Sequence, residues 1–204
     1  FLPALRVEAR HVIMLYITED EVRRLLPMAE AIRLMQEVFE KLARGEAINQ
    51  PRRRLYLPTG SVLHYMAATD GKYFGSKIYS THPQHGAHFL FLLYRSEDGS
   101  PLAIVEANHL GQIRTGAASG IATKWMARTD AETVGIIGSG FQARTQLEAM
   151  LAVRPIRQAR VWSRSPERRA AFATECCSAF AIPVEATGTA ERAVRGADIV
   201  VTAT

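Results

Sequence analysis

Toward its C-terminal end the chain switches repeatedly between two apolar rhythms. Residues 134–137 form a β-branched run, Ala143, Leu147, Met150 and Leu151 then recur at helical spacing, and Val161-Trp162 returns to an extended pattern. This alternation predicts a strand at 133–138, a helix at 140–152, a strand at 159–162, a helix at 166–180, a short strand at 183–185, a helix at 190–195 and a strand at 198–202. Strands alternating with helices build a parallel sheet covered by helices.

The preceding part reads differently. Thr18-Glu19-Asp20-Glu21 has the spacing of a capping box and opens a helix ending near Leu26. Pro27 suits the first turn of a second helix, whose stripe of Ile32, Met35, Phe39 and Leu42 is expected to face a core until Gly45 stops it. Short apolar runs at 62–66, 77–79, 89–94 and 102–105 are separated by turns such as Thr69-Asp70-Gly71 and Asp98-Gly99-Ser100-Pro101, which predicts an antiparallel sheet or open barrel. Asn108 can cap a helix running to about Arg128, with the small-residue centre Thr115-Gly116-Ala117-Ala118-Ser119-Gly120. Such a centre admits either another backbone or a ligand at close range.

The fold class expected is therefore α/β: an α+β domain with an antiparallel sheet over residues 14–128, and a partial Rossmann-type domain over 129–204. About four strands are present where a dinucleotide fold usually has about six, so a C-terminally truncated chain is expected. Residues 1–13 suggest no role, and Met14 would make a natural start.

The sharpest chemical signal lies between the first predicted strand and helix of the second domain. Gly138-Ser139-Gly140-Phe141-Gln142-Ala143 is a G-x-G-x-x-A turn. In such a turn the first glycine permits a tight bend, the second lets the backbone approach a pyrophosphate, and the small last residue lets helix and strand pack closely. A phosphate would rest on the free N–H groups at the helix N-terminus. About twenty residues on, where an acidic residue would bind the ribose 2′-hydroxyl of NAD, the chain reads Trp162-Ser163-Arg164-Ser165-Pro166-Glu167-Arg168. Arg164, Arg168, Ser163 and Ser165 could bind a 2′-phosphate, which favours NADP(H) over NAD(H). The same residues also read as a solvated helix start, with Ser165 as cap and Pro166 at the first position.

Composition narrows the rest. At 204 residues and 48% hydrophobic content the chain can bury a sizeable core. Its net charge of +5 is spread out, with Arg52-Arg53-Arg54 the one true cluster, too short for a nucleic-acid footprint. No apolar run reaches the roughly 18 to 20 residues of a membrane span, and no signal peptide is visible, so a cytoplasmic location is expected. The adjacent Cys176 and Cys177 suit free thiols in a reducing compartment.

Three further groups carry possible chemistry. Arg114 follows the apolar Ile113, where an unpaired guanidinium would be costly to bury; an anion or a structural ion pair would account for it. Lys77 opens a strand in a chain that prefers arginine, and reads either as an acid/base lysine or as an exposed strand residue. His82, His85 and His88 are three apart, but Pro83 and Gly86 break any helix that would align them, so a loop beside a site is expected in place of a metal centre.

At these residues the chain resembles the ornithine cyclodeaminase/mu-crystallin family, from about Met14 to Thr204. The resemblance rests on Gly111-Gln112-Ile113-Arg114-Thr115-Gly116-Ala117-Ala118 and on Gly138 to Ala143, with weaker support from Gln50-Pro51-Arg52-Arg53 and from Lys77 ahead of a His-Pro loop. It implies an N-terminal half that binds substrate and forms a homodimer through its sheet, and a Rossmann half that binds cofactor. It implies a substrate-carboxylate arginine at Arg53, an active-site lysine at Lys77, and a catalytic arginine near substrate and cofactor at Arg114. Thr115, Gly138, Ser139, Gly140, Phe141 and Gln142 would join the cofactor shell. Cyclodeaminases of the family carry an acid after the second nucleotide strand, whereas Ser163-Arg164 is more similar to its NADP(H)-binding ketimine reductases. The family's catalytic aspartate would lie beyond Thr204. The activity implied is NAD(P)-dependent chemistry at the C–N bond of a small amino or imino acid. An amino-acid dehydrogenase and a non-catalytic NADP(H)-binding protein are the alternatives.

Overall fold

A computed structural model describes residues 14–204, so the N-terminal stretch that suggested no role lies outside the described residues. The chain forms two compact units, one holding residues 14–19 and Leu42–Ala107, the other Asp20–Lys41 and Asn108–Thr204.

The first unit is a mixed sheet. Strands β4 (Val62–Thr69), β5 (Tyr73–His82), β6 (Gly86–Arg95) and β7 (Pro101–Glu106) form an antiparallel meander; Asp-Gly turns join β4 to β5 and β6 to β7, and Pro83-Gln84-His85 joins β5 to β6. Three short strands escape sequence patterning. β1 (Leu15–Ile17) pairs with β7 in parallel, so the sheet is not purely antiparallel. β2 (Ile48–Asn49) and β3 (Arg53–Tyr56) both pair with β4, the register slipping between Asn49↔Ala68 and Arg53↔Tyr65. The odd slip amounts to a bulge, and a bulge changes which side chains face which way.

The second unit is built on a four-stranded parallel sheet in the order β10 (Val184–Ala186), β9 (Gln158–Trp162), β8 (Thr133–Ile137), β11 (Ile199–Thr202). The chain winds outward from β8 through β9 to β10, then returns to place β11 on the other side of β8. Strand order therefore reverses between β8 and β11, and the crevice beyond their carboxyl ends is the place where such sheets bind ligands. Helices α4 (Ala143–Val153), α5 (Pro166–Phe180) and α6 (Ala190–Val194) connect the strands. Ser165 caps α5 by accepting from the Arg168 N–H, with Pro166 in the first turn.

Helices α1 (Glu19–Leu25), α2 (Met28–Ala43) and α3 (Asn108–Met126) group largely with this sheet, although the sequence suggested a boundary at 128/129. The reason is the small-residue centre of α3. A Cβ on Gly116 would stand 2.5 Å from the Thr145 carbonyl oxygen, and Gly120 lies against Ile32 of α2 and Ala149 of α4. The small residues thus serve helix packing, one of the two readings open from sequence. The α2 stripe is buried only in its first half: Ile32 belongs to the core and Met35 packs on its edge, but Phe39 and Leu42 are each 44% exposed.

Polar contacts pin both ends of this core. Arg154, just past α4, donates to the carbonyls of Thr123, Lys124, Ala127 and Arg128, closing the C-terminal end of α3 with a cation where the helix dipole favours one. Asp198 accepts from the backbone N–H groups of Glu132 and Thr133 and from the Thr133 hydroxyl, and pairs with Arg128. These hydrogen bonds hold its carboxyl at about 2, below the ordinary 3.8. A depressed folded-state value stabilises the fold above the unfolded-state pKa and is lost as pH falls through the folded one. Unfolding free energy is therefore expected to drop between about pH 4 and pH 2, and Asp198→Asn to flatten that part of the profile in acid-denaturation measurements.

Candidate functional site

The glycine turn lies where the strand order reverses. Gly138 has φ +113° and its N–H donates to the Trp162 carbonyl at 2.7 Å. A Cβ there would run into the Ala203 carbonyl, just past β11, so the fold itself demands glycine at this position. Gly140 is different. It has no positive φ, and a Cβ on it would meet nothing within 4 Å. Among the described residues no atom stands over this glycine, which leaves room for a pyrophosphate lying across the turn. Beside it, the side-chain oxygen of Gln142 is buried without a hydrogen-bond partner. An open cradle and an orphaned polar atom are what a dinucleotide pocket offers before its ligand is counted, so these residues fit the group.

Helix α4 begins at Ala143, after a turn over 140–142, where the sequence suggested position 140. Ala143 is fully buried, as the small closing residue of the motif requires. The α3 helix reaches the same turn: the Gln112 amide donates to the Phe141 carbonyl, and the Thr145 hydroxyl donates to the Gln112 carbonyl at 3.2 Å. Arg114 and Thr115 follow one step along α3. Thr115 donates its hydroxyl to the Gly111 carbonyl at 2.7 Å. Arg114 is exposed, so the burial penalty anticipated for it does not arise.

The end of β9 is wired to the glycine turn. Ser139 donates to the Ser163 hydroxyl at 2.8 Å, and Ser163 passes the chain on to the Ser165 carbonyl at 3.2 Å. Ser165 caps α5 and holds Glu167 at 2.8 Å. Both serine hydroxyls are therefore engaged in shaping the turn. Arg164 and Arg168 are exposed, and their guanidinium groups make no hydrogen bond or ion pair among the described residues. Glu167, an acid in the same turn, carries no cofactor signal in the sequence; its fixation by Ser165 becomes visible only in three dimensions.

In the first unit, strand register sorts the candidate residues by face. Lys77 stands opposite Met66 and Phe91, and Tyr79 opposite His64 and Phe89. His64, Tyr79 and Phe89 stack across three strands, with ring centres 4.3 Å and 4.7 Å apart. The Lys77 ammonium lies 5.2 Å from the Tyr79 ring centre and 4.6 Å from that of Phe89. Arg54 is directly across from His64, on this same face. Arg53 pairs with Tyr65, which pairs with Ile78, and so belongs to the opposite face. The opposite face also carries the exposed apolar residues Leu55, Tyr65 and Leu90.

His64 is buried at 8% exposure, with Nε2 2.9 Å from the Thr81 hydroxyl and Nδ1 without a partner. Burial, then the charges of Arg54 and Arg52, push its pKa below the ordinary value and keep it neutral. His82 and His85 sit in the β5–β6 hairpin with ring centres 4.6 Å apart, and His88 follows in β6. Among the described residues no three His, Cys, Asp or Glu side chains gather in a metal-binding group. The thiols are unpaired: burial pushes Cys176 up to about 11, and Cys177 is exposed. No helix among the described residues is long and apolar enough to cross a membrane.

A parallel sheet in this order, with a G-x-G-x-x-A turn at its switch point, defines a Rossmann-type nucleotide-binding fold, here joined to a mixed sheet that presents a lysine over an aromatic stack. The chain belongs to the ornithine cyclodeaminase/mu-crystallin family, which it matches over residues 13–204. A Delta(1)-pyrroline-2-carboxylate reductase of Bacillus cereus is 34% identical over 200 residues, covering 94% of this chain and 62% of the relative. The structure of Thermococcus litoralis Delta(1)-pyrroline-2-carboxylate reductase in complex with NADH and L-proline superposes with a TM-score of 0.88 at 32% identity, covering 94% of this chain and 62% of that one. An archaeal alanine dehydrogenase dimer with bound NAD follows at TM-score 0.86 and 32% identity, covering 94% and 60%. The chain thus spans about three fifths of the length of these relatives.

Proposed function

We propose that the protein is an NAD(P)-dependent enzyme acting on the C–N bond of a small amino or imino acid, working as an imino-acid reductase. The observation that carries this reading is the glycine turn at the switch point: the fold requires Gly138, and the space over Gly140 is open to a ligand. Kinship with reductases and a dehydrogenase that bind NADH or NAD supports the nature of that ligand. The turn over Gly138, Ser139, Gly140, Phe141 and Gln142 would hold the pyrophosphate, with Arg114 and Thr115 meeting an acid or phosphate group from α3. When bound, the dinucleotide supplies hydride to carbon in the reductive direction. Lys77 holds the compensating proton and delivers it to nitrogen, so that C=N becomes CH–NH. The aromatic stack beneath Lys77 limits its solvation on that side and keeps the ammonium in one place.

The enzyme is further proposed to be a cytoplasmic homodimer, joined through the face of the sheet that exposes Leu55, Tyr65 and Leu90. The dimeric state of the archaeal alanine dehydrogenase supports this.

The cofactor is proposed to be NADP(H). Arg164, just past β9, and Arg168, in the first turn of α5, are exposed cations without an ion pair among the described residues, and a 2′-phosphate would engage them. Fluorescence titration is expected to show tighter binding of NADPH than of NADH. Replacing both arginines by alanine should cost NADPH about 10- to 100-fold in affinity and NADH little. Equal affinities would favour NAD(H), with the Ser165-held Glu167 at the ribose hydroxyl.

A further inference from the structure

We infer that Gln112 is a positioning residue for the dinucleotide: from α3 it holds the glycine turn so that backbone N–H groups of the turn face the pyrophosphate. The inference rests on the cofactor reading of that turn and adds the residue that sets its orientation.

Helices α3 and α4 meet along a seam that advances by the same step on both sides. Gly120 lies against Ala149, and a Cβ on Gly116 would stand 2.5 Å from the Thr145 carbonyl oxygen. One further step of four back along each segment, Gln112 meets Phe141, its side-chain amide donating to the Phe141 carbonyl. Residues four apart share a helix face, so Gln112 ends the same stripe as the two glycines. Close packing alone would be served by a third small residue. The chain instead places a long amide there, only 8% exposed, and spends its donor on the turn.

That bond fixes the direction of a peptide plane. Among the described residues no peptide is cis, and in a trans peptide the carbonyl and the following N–H point opposite ways. Drawing the Phe141 carbonyl toward α3 therefore turns the Gln142 N–H away from it. The buried Thr145 hydroxyl lies 3.2 Å from both the Gln112 and the Gln142 carbonyl oxygens and ties α3 to the end of the turn. The start of the turn is held from the other side, by the Gly138 N–H on the Trp162 carbonyl and the Ser139 hydroxyl on Ser163. Between these anchors the backbone N–H groups of Ser139, Gly140, Phe141 and Gln142 donate to no group among the described residues. The space over Gly140 is open. Backbone donors held in a fixed direction beside an open space suit an anion such as a pyrophosphate.

The test titrates the parent, Gln112→Met and Gln112→Glu with NADH, NADPH and ADP-ribose, each well below its unfolding midpoint so that only folded protein is read. Methionine keeps the length of the side chain and removes the donor; glutamic acid keeps the length and donates only when protonated. Gln112→Met is expected to bind all three ligands about tenfold more weakly, by one common factor, because they share the pyrophosphate. Gln112→Glu is expected to be at least as weak at about pH 8. Its affinity for ADP-ribose should then rise above that of Gln112→Met as pH falls toward about 5, when the carboxyl regains an O–H for the Phe141 carbonyl. A role in packing alone leaves the affinity of folded protein unchanged and gives no such recovery, and either result overturns the inference. A loss confined to NADPH also overturns it, since that places the effect at the 2′-phosphate. If Gln112→Met does not fold, the pH series on Gln112→Glu decides. A parent that binds none of the three overturns the cofactor reading and this inference with it; a parent that binds them no better than its variants overturns this inference alone.

Discussion

Lys77→Ala is expected to lower kcat for imino-acid reduction about a thousandfold while leaving dinucleotide affinity unchanged. The size follows from the proton delivery proposed for the side chain. Hydride transfer to an imine carbon leaves a nitrogen that must gain a proton, and on the Lys77 face the neighbouring cations are arginines, which do not release one near neutral pH. His64, the imidazole on that face, is stacked on Tyr79 with Nε2 2.9 Å from the Thr81 hydroxyl, and its depressed pKa disfavours the protonated form that could act as the acid. The split between kcat and cofactor affinity separates the chemical role from a structural one. Lys77 lies on β5 in the first unit, and the glycine turn belongs to the second. An unchanged kcat in Lys77→Ala would remove the lysine from the mechanism.

The second large effect separates two residues two positions apart. Gly138→Ala is expected to destabilise the second unit by about 3 kcal/mol, because the new methyl group would collide with the Ala203 carbonyl at a φ that side chains rarely adopt. Gly140→Ala should leave stability unchanged or raise it by about 0.4–1 kcal/mol, since the Cβ enters open space and the unfolded chain loses freedom. The same change should cost at least about tenfold in dinucleotide affinity, because the methyl group fills the cradle. Thermal unfolding and nicotinamide fluorescence on the two variants check both halves. A Gly140→Ala protein that binds cofactor as tightly as the parent would show that the open space has another purpose.

Much of this architecture was legible in the sequence for an identifiable reason. From Thr133 to Thr202 each strand pairs in parallel with neighbours and each helix covers the sheet, so the apolar rhythm of each segment reports its own burial. The meander from Val62 to Glu106 was legible because its hairpins are closed by local turns with glycine at positive φ, at Gly71 and Gly99. What stayed hidden depends on partners distant in sequence. β1 pairs with β7 across nearly ninety residues, and two- to four-residue strands carry too few positions to show a period. The second half of the α2 stripe looks like core in sequence, yet Phe39 and Leu42 are exposed, because an apolar period does not say how far the covering helix extends.

The site was legible to the same degree. The glycine turn and Lys77 stand out as residue types, and family resemblance adds their roles. Which of Arg52, Arg53 and Arg54 faces Lys77 was not readable, because the register slip between β2 and β3 resets the alternation just before them. The serine relay from Ser139 through Ser163 to Ser165 was hidden for a similar reason, joining turns that meet only once β8 and β9 are side by side.

A nicotinamide dinucleotide bound at the Gly138 turn is proposed to reduce a C=N bond next to an acid group. This is tested most directly by adding pyrroline-2-carboxylate to the protein with NADPH, and in parallel with NADH, while following nicotinamide fluorescence and assaying for proline. Oxidation of the reduced cofactor matched by proline formation, faster with NADPH, is the expected result. Tight binding of both cofactors without oxidation of either would contradict it and leave a nucleotide-binding protein without this chemistry.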